Sequence, residues 1–279
     1  MDDFKPIVGL KIGGSIATEK NARDFPLCFR EIKERAFNYI KVENIRRIGA
    51  EEILPTLSRV NLFLGLGAGP FGHYLVKHKE KISNVMMIHR SVSYYAALVT
   101  EVLKRTGLPV IYKERFSPVY ACYYENNRLH TEKLERWVRG EIDKRRIPIF
   151  HGDIIPCKDK RGSLSKFEVL SADKCLARLA IKLKAKRIIA ATDEDGLYSA
   201  DPKLNPSAKF IPIVRARDEV KISKFPRRAD VTGEMPQKVR EFQEAARAGI
   251  EALIVNGLVK GRIRKALLGE KCIATIILP

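Results

Sequence analysis

Cysteine is scarce and scattered in this chain. Cys28, Cys122, Cys157, Cys175 and Cys272 are odd in number and never form a C-x-x-C pair. That spacing argues against a zinc site or a disulfide framework and for small buried hydrophobes. No apolar run approaches a membrane span, and Met1 to Pro6 has neither a basic leader nor an apolar h-region. A cytoplasmic protein without a membrane partner is expected. Repeats, low-complexity tracts and floppy linkers are missing as well. So are the Walker pattern G-x-x-x-x-G-K-[ST] and a G-x-G-x-x-G opening, which excludes a P-loop enzyme or a dinucleotide binder by motif.

Acidic residues are in deficit: 33 Asp and Glu stand against 52 Lys and Arg, a net charge of +19. Such a surface either gathers anions (nucleotide, phosphorylated substrate, RNA) or is a solvated coat suited to heat. The basic residues are dispersed, with small knots at Lys144-Arg145-Arg146, Lys158 to Arg161 and Lys224 to Arg228. No aromatic-interleaved stripe accompanies them, so general surface charge is favoured over a specific nucleic-acid face.

What is present is an alternation of strand-like runs and helical periodicity. With 279 residues, 45% of them hydrophobic, the chain has ample material for a core. Ile7 to Leu10, Val60 to Leu64, Ile147 to Phe150, Arg187 to Ala191, Ala252 to Val255 and Ile273 to Leu278 read as strands. Pro109 to Tyr112 reads as a shorter one. Ile88, Val92, Tyr95, Val99 and Val102 recur at helical spacing, with Gly107 as a stop. Leu134, Trp137, Val138 and Ile142 mark a second helix. Ser171 is the N-cap expected for a third, Ala172 to Leu183. Pro236 to Ala248 and Arg262 to Leu268 complete the set, and Asn126-Asn127 should turn a hairpin within Val119 to Thr131. The order predicts an α/β fold, a three-layer α/β/α sandwich on a mostly parallel open sheet. A lobe boundary near residue 185 divides it into 1–185 and 186–279 on one continuous sheet.

Ligand sites in open α/β sheets lie beyond the C-terminal strand ends. Gly13-Gly14, Gly67-Ala68-Gly69, Gly152-Asp153 and Thr192-Asp193 all fall there. One glycine pair is weak evidence, because turns need glycine anyway. Four such loops in company with Lys11, Lys238 and His73 point to phosphoryl transfer. Plainer roles stand beside this one. Lys20 is either a site lysine or a solvated loop residue, and His73 either a ligand or a helix-start histidine. Asp153 either touches substrate or satisfies a turn, and Asp195 reads as turn chemistry. His78, His89 and His130 have no motif around them and read as surface or packing residues.

The ordered set of motifs resembles the amino-acid kinase superfamily over nearly the whole chain. Leu10-Lys11-Ile12-Gly13-Gly14-Ser15, with Lys20 following, resembles its opening lysine–glycine motif. Gly67 to His73 is similar to G-G-G-x-F-G-H, His151-Gly152-Asp153 to H-G-D, and Leu170-Ser171-Ala172-Asp173 to L-S-G-D. Thr192 to Tyr198 with Asp201-Pro202-Lys203 resembles T-D-x-D-G-x-Y…D-P-K, and Asp230 to Lys238 resembles D-V-T-G-G-M-x-x-K. The histidine after Phe71-Gly72 narrows the likeness toward the isopentenyl phosphate kinases, whose acceptor is a phosphate.

The resemblance implies ATP as phosphoryl donor, magnesium bridging its phosphates, and a small phosphorylated acceptor. Another acceptor, or a catalytically weak RNA-binding relative, are the rival readings. In the family's manner Lys11 and Lys238 would flank the transferring phosphoryl, Lys20 would supplement them and Asp173 would hold them. Gly67, Ala68, Gly69, Gly72, His73, Gly152, Asp153 and Ala172 would bind the acceptor in the first lobe. Lys11, Gly13, Gly14, Ser15, Thr192, Asp193, Gly196, Tyr198, Asp201, Thr232, Gly233, Met235 and Lys238 would bind the nucleotide. No protein-borne metal cage is implied, and a homodimer is expected by analogy. Ala68, Pro70, Ala172, Glu234 and Ala274 depart from the family pattern: Ala68 would strain a positive-φ backbone, and Pro70 lacks an N–H donor.

Overall fold

Ile7–Ile12 is buried along its whole length and on both faces, as a central strand of a parallel sheet must be. The structure, a computed structural model, describes residues 5–19, 22, 24–82, 84–219 and 234–279, with only the backbone of Glu234. The chain opens with β1 (Ile7–Ile12), α1 (Gly14–Ala17), α2 (Phe29–Arg35) and α3 (Val42–Arg47). It continues through β2 (Asn61–Leu66), α4 (Pro70–Lys77), α5 (Met86–Lys104) and β3 (Val110–Ile111). Next come α6 (Pro118–Ala121), β4 (Tyr123–Glu125), β5 (Arg128–His130), α7 (Glu132–Asp143) and β6 (Ile147–His151). They are followed by β7 (Asp153–Lys158), β8 (Leu164–Leu170), α8 (Ala172–Leu183) and β9 (Arg187–Thr192). The last stretch holds β10 (Leu197–Tyr198), β11 (Phe210–Ile211), β12 (Ile213–Arg215), α9 (Glu234–Arg247), β13 (Glu251–Asn256), α10 (Arg262–Leu268) and β14 (Thr275–Leu278).

Eight strands form the main sheet in the order β12-β14-β13-β9-β1-β2-β6-β3. The run from β13 to β3 is parallel throughout, while β14 turns antiparallel to β13 and takes β12 with it. Strands from both sides of residue 185 therefore share one sheet.

Alternation along the strands separates two cores. Val8, Leu10 and Ile12 pack with Ile88, Val92 and Tyr95 of α5 on one face. Ile7, Phe63, Phe150, Ile188 and Ile254 pack on the other with Leu176 and Leu179 of α8 and Phe242 of α9. That is the expected three-layer sandwich. It also decides where Lys11 points. With a period of two, Lys11 shares the face of Ile7, so its side chain enters the layer of α8 and α9.

Several elements go beyond the sequence reading. β1 continues through Lys11 to Ile12, so this lysine belongs to the strand rather than to the loop behind it. A second sheet, β5-β4-β7-β8, is built from the Asn126-Asn127 hairpin and from two strands not anticipated. Both turn asparagines have positive φ, 50° and 60°, as a two-residue hairpin turn of this hand requires. β8 is mostly exposed and carries Lys166 and Glu168, so it lacks a buried apolar alternation that would mark it.

Candidate active site

β1 pairs with β2 and β9, and β2 with β6, which sets their C-terminal ends side by side. Two glycine loops meet there, backbone against backbone. A Cβ on Gly67 would lie 2.5 Å from the nitrogen of Gly14, and one on Gly14 would lie 2.8 Å from the nitrogen of Gly69. Gly13 donates its N–H to Ala191 O at 2.9 Å, and Gly67 donates to Ile12 O at 2.9 Å. Side chains are absent at these positions because no room exists for them. Half-buried Ser15 follows in the short α1.

Above these loops three charges converge from three elements. Lys11 Nζ donates to Asp173 Oδ2 at 2.5 Å, and Lys238 Nζ donates to the same oxygen at 2.9 Å. The alternation of β1 delivers Lys11, the Ser171 cap starts α8 so that Asp173 falls in its first turn, and α9 carries Lys238. Ser171 Oγ accepts from Lys174 N at 3.1 Å, as the cap reading predicts. All three residues are buried, at 8%, 7% and 6% exposure for Lys11, Asp173 and Lys238. Burial pushes the Asp173 carboxyl up, but the two ammonium groups outweigh it and hold it down at about 2. Two lysines brought together on one carboxylate in a desolvated place suit an anionic ligand.

The acceptor-side candidates lie on the neighbouring strand exits. Gly69 caps α4 with φ +50°, where a Cβ would also collide with Thr18. Ala68 does not have positive φ, so the strain expected there is not realised. Its Cβ instead packs where Gly72 has none, 2.7 Å from the position a side chain would take. Pro70 is the first residue of α4, where a missing N–H breaks no helical bond. His73 is exposed in the first turn of that helix, its N–H bonded to Gly69 O at 3.0 Å. At the end of β6, Gly152 packs against the start of α8, since a Cβ would meet Ala172 N at 2.9 Å. Ala172 is itself buried.

Asp153 is fully buried and its Oδ2 lies 2.8 Å from Nδ1 of His89. Of the two readings left open for His89, surface or packing, the structure shows packing: it is 1% exposed, and it also faces a residue of the candidate site. The sequence reading missed it because the partners are far apart in the chain. The available signal was its place beside the buried face of α5, one residue after Ile88. Burial also lowers the basicity of His151, whose Nδ1–H donates to Gly152 O at 2.9 Å.

On the nucleotide side, Thr192 ends β9 and Glu194 N donates to its Oγ1 at 3.3 Å. Asp193 pairs with Lys203, which also reaches Glu194 at 3.0 Å, so the motifs around Asp193 and Asp201 are joined. Asp201 Oδ1 accepts from Lys203 N at 2.9 Å. Gly196 leaves room for Thr275, whose Oγ1 accepts from Leu197 N at 2.7 Å. Tyr198 packs its ring on Phe210, and half-buried Met235 lies in the first turn of α9. Asp195, read as turn chemistry, instead accepts from Asn256 and Arg262, which lie far along the chain. Lys20, Asp230, Thr232 and Gly233 lie outside the described residues, and so does the side chain of Glu234.

The pattern that defines the amino acid kinase family matches residues 7–256. The chain belongs to the amino acid kinase family. It is a kinase, of a family whose enzymes use ATP and phosphorylate phosphate or carboxyl acceptors. It is 27% identical to the isopentenyl phosphate kinase of Methanothermobacter thermautotrophicus, covering 96% of this chain and 97% of that one. The isopentenyl phosphate kinase of Methanocaldococcus jannaschii is likewise 27% identical, covering 94% and 95%. Among solved structures, an isopentenyl phosphate kinase superposes with a TM-score of 0.76 at 26% identity, over 97% of this chain and 99% of that one. Among the described residues no helix is long and apolar enough to cross a membrane.

Proposed function

We propose that this chain transfers the γ-phosphoryl of ATP to the phosphate of a small phosphorylated acceptor, isopentenyl phosphate, giving isopentenyl diphosphate. The observation that carries this reading is the pair Lys11–Lys238 on one oxygen of Asp173, beside two interlocked glycine loops. Full-length likeness to isopentenyl phosphate kinases supports the choice of acceptor.

A phosphate monoester is ionised near neutral pH, so its attack needs no strong general base. The difficulty is bringing two anions in line and stabilising the charge on the group in transit. An acceptor phosphate oxygen bonds the γ-phosphorus as the bond from that phosphorus to the β,γ-bridging oxygen of ATP breaks, and that oxygen leaves on the β-phosphate of ADP. Lys11 and Lys238 neutralise the transferring group, and Lys20 adds to them. Asp173 keeps both ammonium groups charged and fixed. His73 donates to the acceptor phosphate, beside the loop of Gly67, Ala68, Gly69 and Gly72 and the turn of Gly152, Asp153 and Ala172. Gly13, Gly14, Ser15, Thr192, Asp193, Gly196, Tyr198, Asp201, Thr232, Gly233 and Met235 hold the nucleotide. In this reading residues 1–185 bind the acceptor and lend Lys11, Gly13, Gly14 and Ser15 to the nucleotide, which 186–279 otherwise bind.

Among the described residues no group of three or more His, Cys, Asp or Glu side chains is arranged to hold a metal ion. Lys11 and Lys238 on the carboxylate of Asp173 fit a magnesium ion that would be held through the nucleotide's phosphates. When bound, that ion neutralises phosphate charge. A homodimer and a cytoplasmic setting complete the reading. ADP release measured with isopentenyl phosphate, isopentenol and uridine monophosphate tests it: the first must be turned over fastest.

A further inference from the structure

His89 links the acceptor side of the site to the lysine clamp through a short chain of contacts. Its Nδ1 lies 2.8 Å from Asp153 Oδ2. A carboxylate oxygen only accepts, so Nδ1 carries the hydrogen in this pair. The other oxygen, Oδ1, accepts from Ile154 N at 2.8 Å, which locks the carboxylate to its own strand. The residue before Asp153 is Gly152, seated against Ala172 N at the start of α8. The residue after Ala172 is Asp173, where Lys11 and Lys238 meet. On its other side the ring of His89 stands 3.4 Å, at Nε2, from Glu114 Oε1 and edge-on to Tyr120. Ser93 Oγ, one turn along α5, is 3.3 Å from Nδ1.

A buried imidazole–carboxylate pair is an inefficient way to stabilise a fold, because desolvation of both groups offsets their attraction. What the polar pair adds is direction: it fixes the plane of Asp153 and therefore the turn of Gly152. We propose that His89 is a positioning residue for the acceptor, acting through Asp153 to hold the Gly152 turn against the start of α8. This inference rests on the assignment of that turn to the acceptor.

The test is steady-state kinetics of His89→Leu, His89→Asn and His89→Gln, using whichever of isopentenyl phosphate or uridine monophosphate wild type turns over faster. His89→Leu removes the donor and should raise the acceptor KM about tenfold or more, with the ATP KM within about twofold of wild type. Asparagine places an N–H near the position of Nδ1 and should recover most of the loss. Glutamine places its amide at the position of Nε2, out of reach of Asp153, and should not. Should His89→Leu fail to fold, the Asn and Gln variants make the same comparison. Wild-type kinetics in a folded His89→Leu, equal rises in both KM values, or Gln matching Asn would each overturn the proposal. A wild type that prefers uridine monophosphate refutes the proposed acceptor but leaves this comparison intact. Inactivity on both phosphates overturns both.

Discussion

Lys11 and Lys238 donate to the same carboxylate oxygen, Oδ2 of Asp173, at 2.5 and 2.9 Å. One comes from the first strand and the other from the last long helix, so the clamp closes only when both halves of the sheet are in place. Such an arrangement concentrates positive charge where a phosphoryl group in transit is most negative.

Replacing Lys11 or Lys238 by Ala should lower kcat by roughly a hundredfold or more, the scale of losing one electrostatic transition-state partner. The ATP KM should change much less. Single-turnover rates beside nucleotide affinity separate the two effects, and a Lys11→Ala enzyme with near wild-type kcat would remove the assignment.

Asp173 should also leave an acid signature. Its folded value of about 2 lies below the ordinary 3.8, because Lys11 and Lys238 outweigh burial. Its stabilising contribution is therefore complete above about pH 4 and is lost as the pH falls through about 2, a difference on the order of 2 kcal/mol. Urea unfolding of wild type and Asp173→Asn should show a stability gap at pH 5 that narrows steadily on acidification. A gap independent of pH would contradict the ionic account.

The glycine loops give a steric prediction with an internal control. Gly67→Ala places a methyl 2.5 Å from the backbone of Gly14 and should destabilise by about 1–3 kcal/mol while disrupting turnover. Gly140, in the last turn of α7, has nothing within 4 Å of an added methyl. There Gly140→Ala should stabilise by about 0.5–1 kcal/mol, since alanine is the better helix former. Thermal melts of both variants check the pair, and a stabilised Gly67→Ala would show that the loops are less tightly apposed.

The charge of +19 predicts weak, unspecific RNA binding. Affinity should collapse between low and physiological salt, as counterion release dictates, and should not prefer one sequence. Titrations of several labelled RNAs at two salt concentrations decide the point; tight, selective binding at physiological salt would favour an RNA-binding role.

Much of this architecture was legible because it is written locally. The apolar run of β1, the Ser171 cap and the Asn126-Asn127 turn each depend on neighbours in the chain, and each is found in the structure. The glycine loops were legible as strand exits, but their reason was not. Gly14 and Gly67 are small because they touch each other, and contact between distant loops leaves no local pattern. The same holds for His89 and Asp153, which are partners only across the packing of α5 on β7. It holds too for Lys203, which meets Asp193 and Glu194 by way of an intervening loop. The strand β8 escaped for a different reason: its exposed side chains carry no burial pattern to read.

The central claim is that this kinase phosphorylates a phosphate recognised by His73. Its most direct test is competition among isopentenyl phosphate, isopentenol and uridine monophosphate, run on wild type and on His73→Ala. Isopentenyl phosphate should win by a wide margin in wild type. His73→Ala should then show a raised acceptor KM and a lowered kcat with ATP affinity nearly unchanged, and His73→Gln should recover part of the loss. A wild-type preference for uridine monophosphate or isopentenol, or a His73→Ala enzyme indistinguishable from wild type, would contradict it.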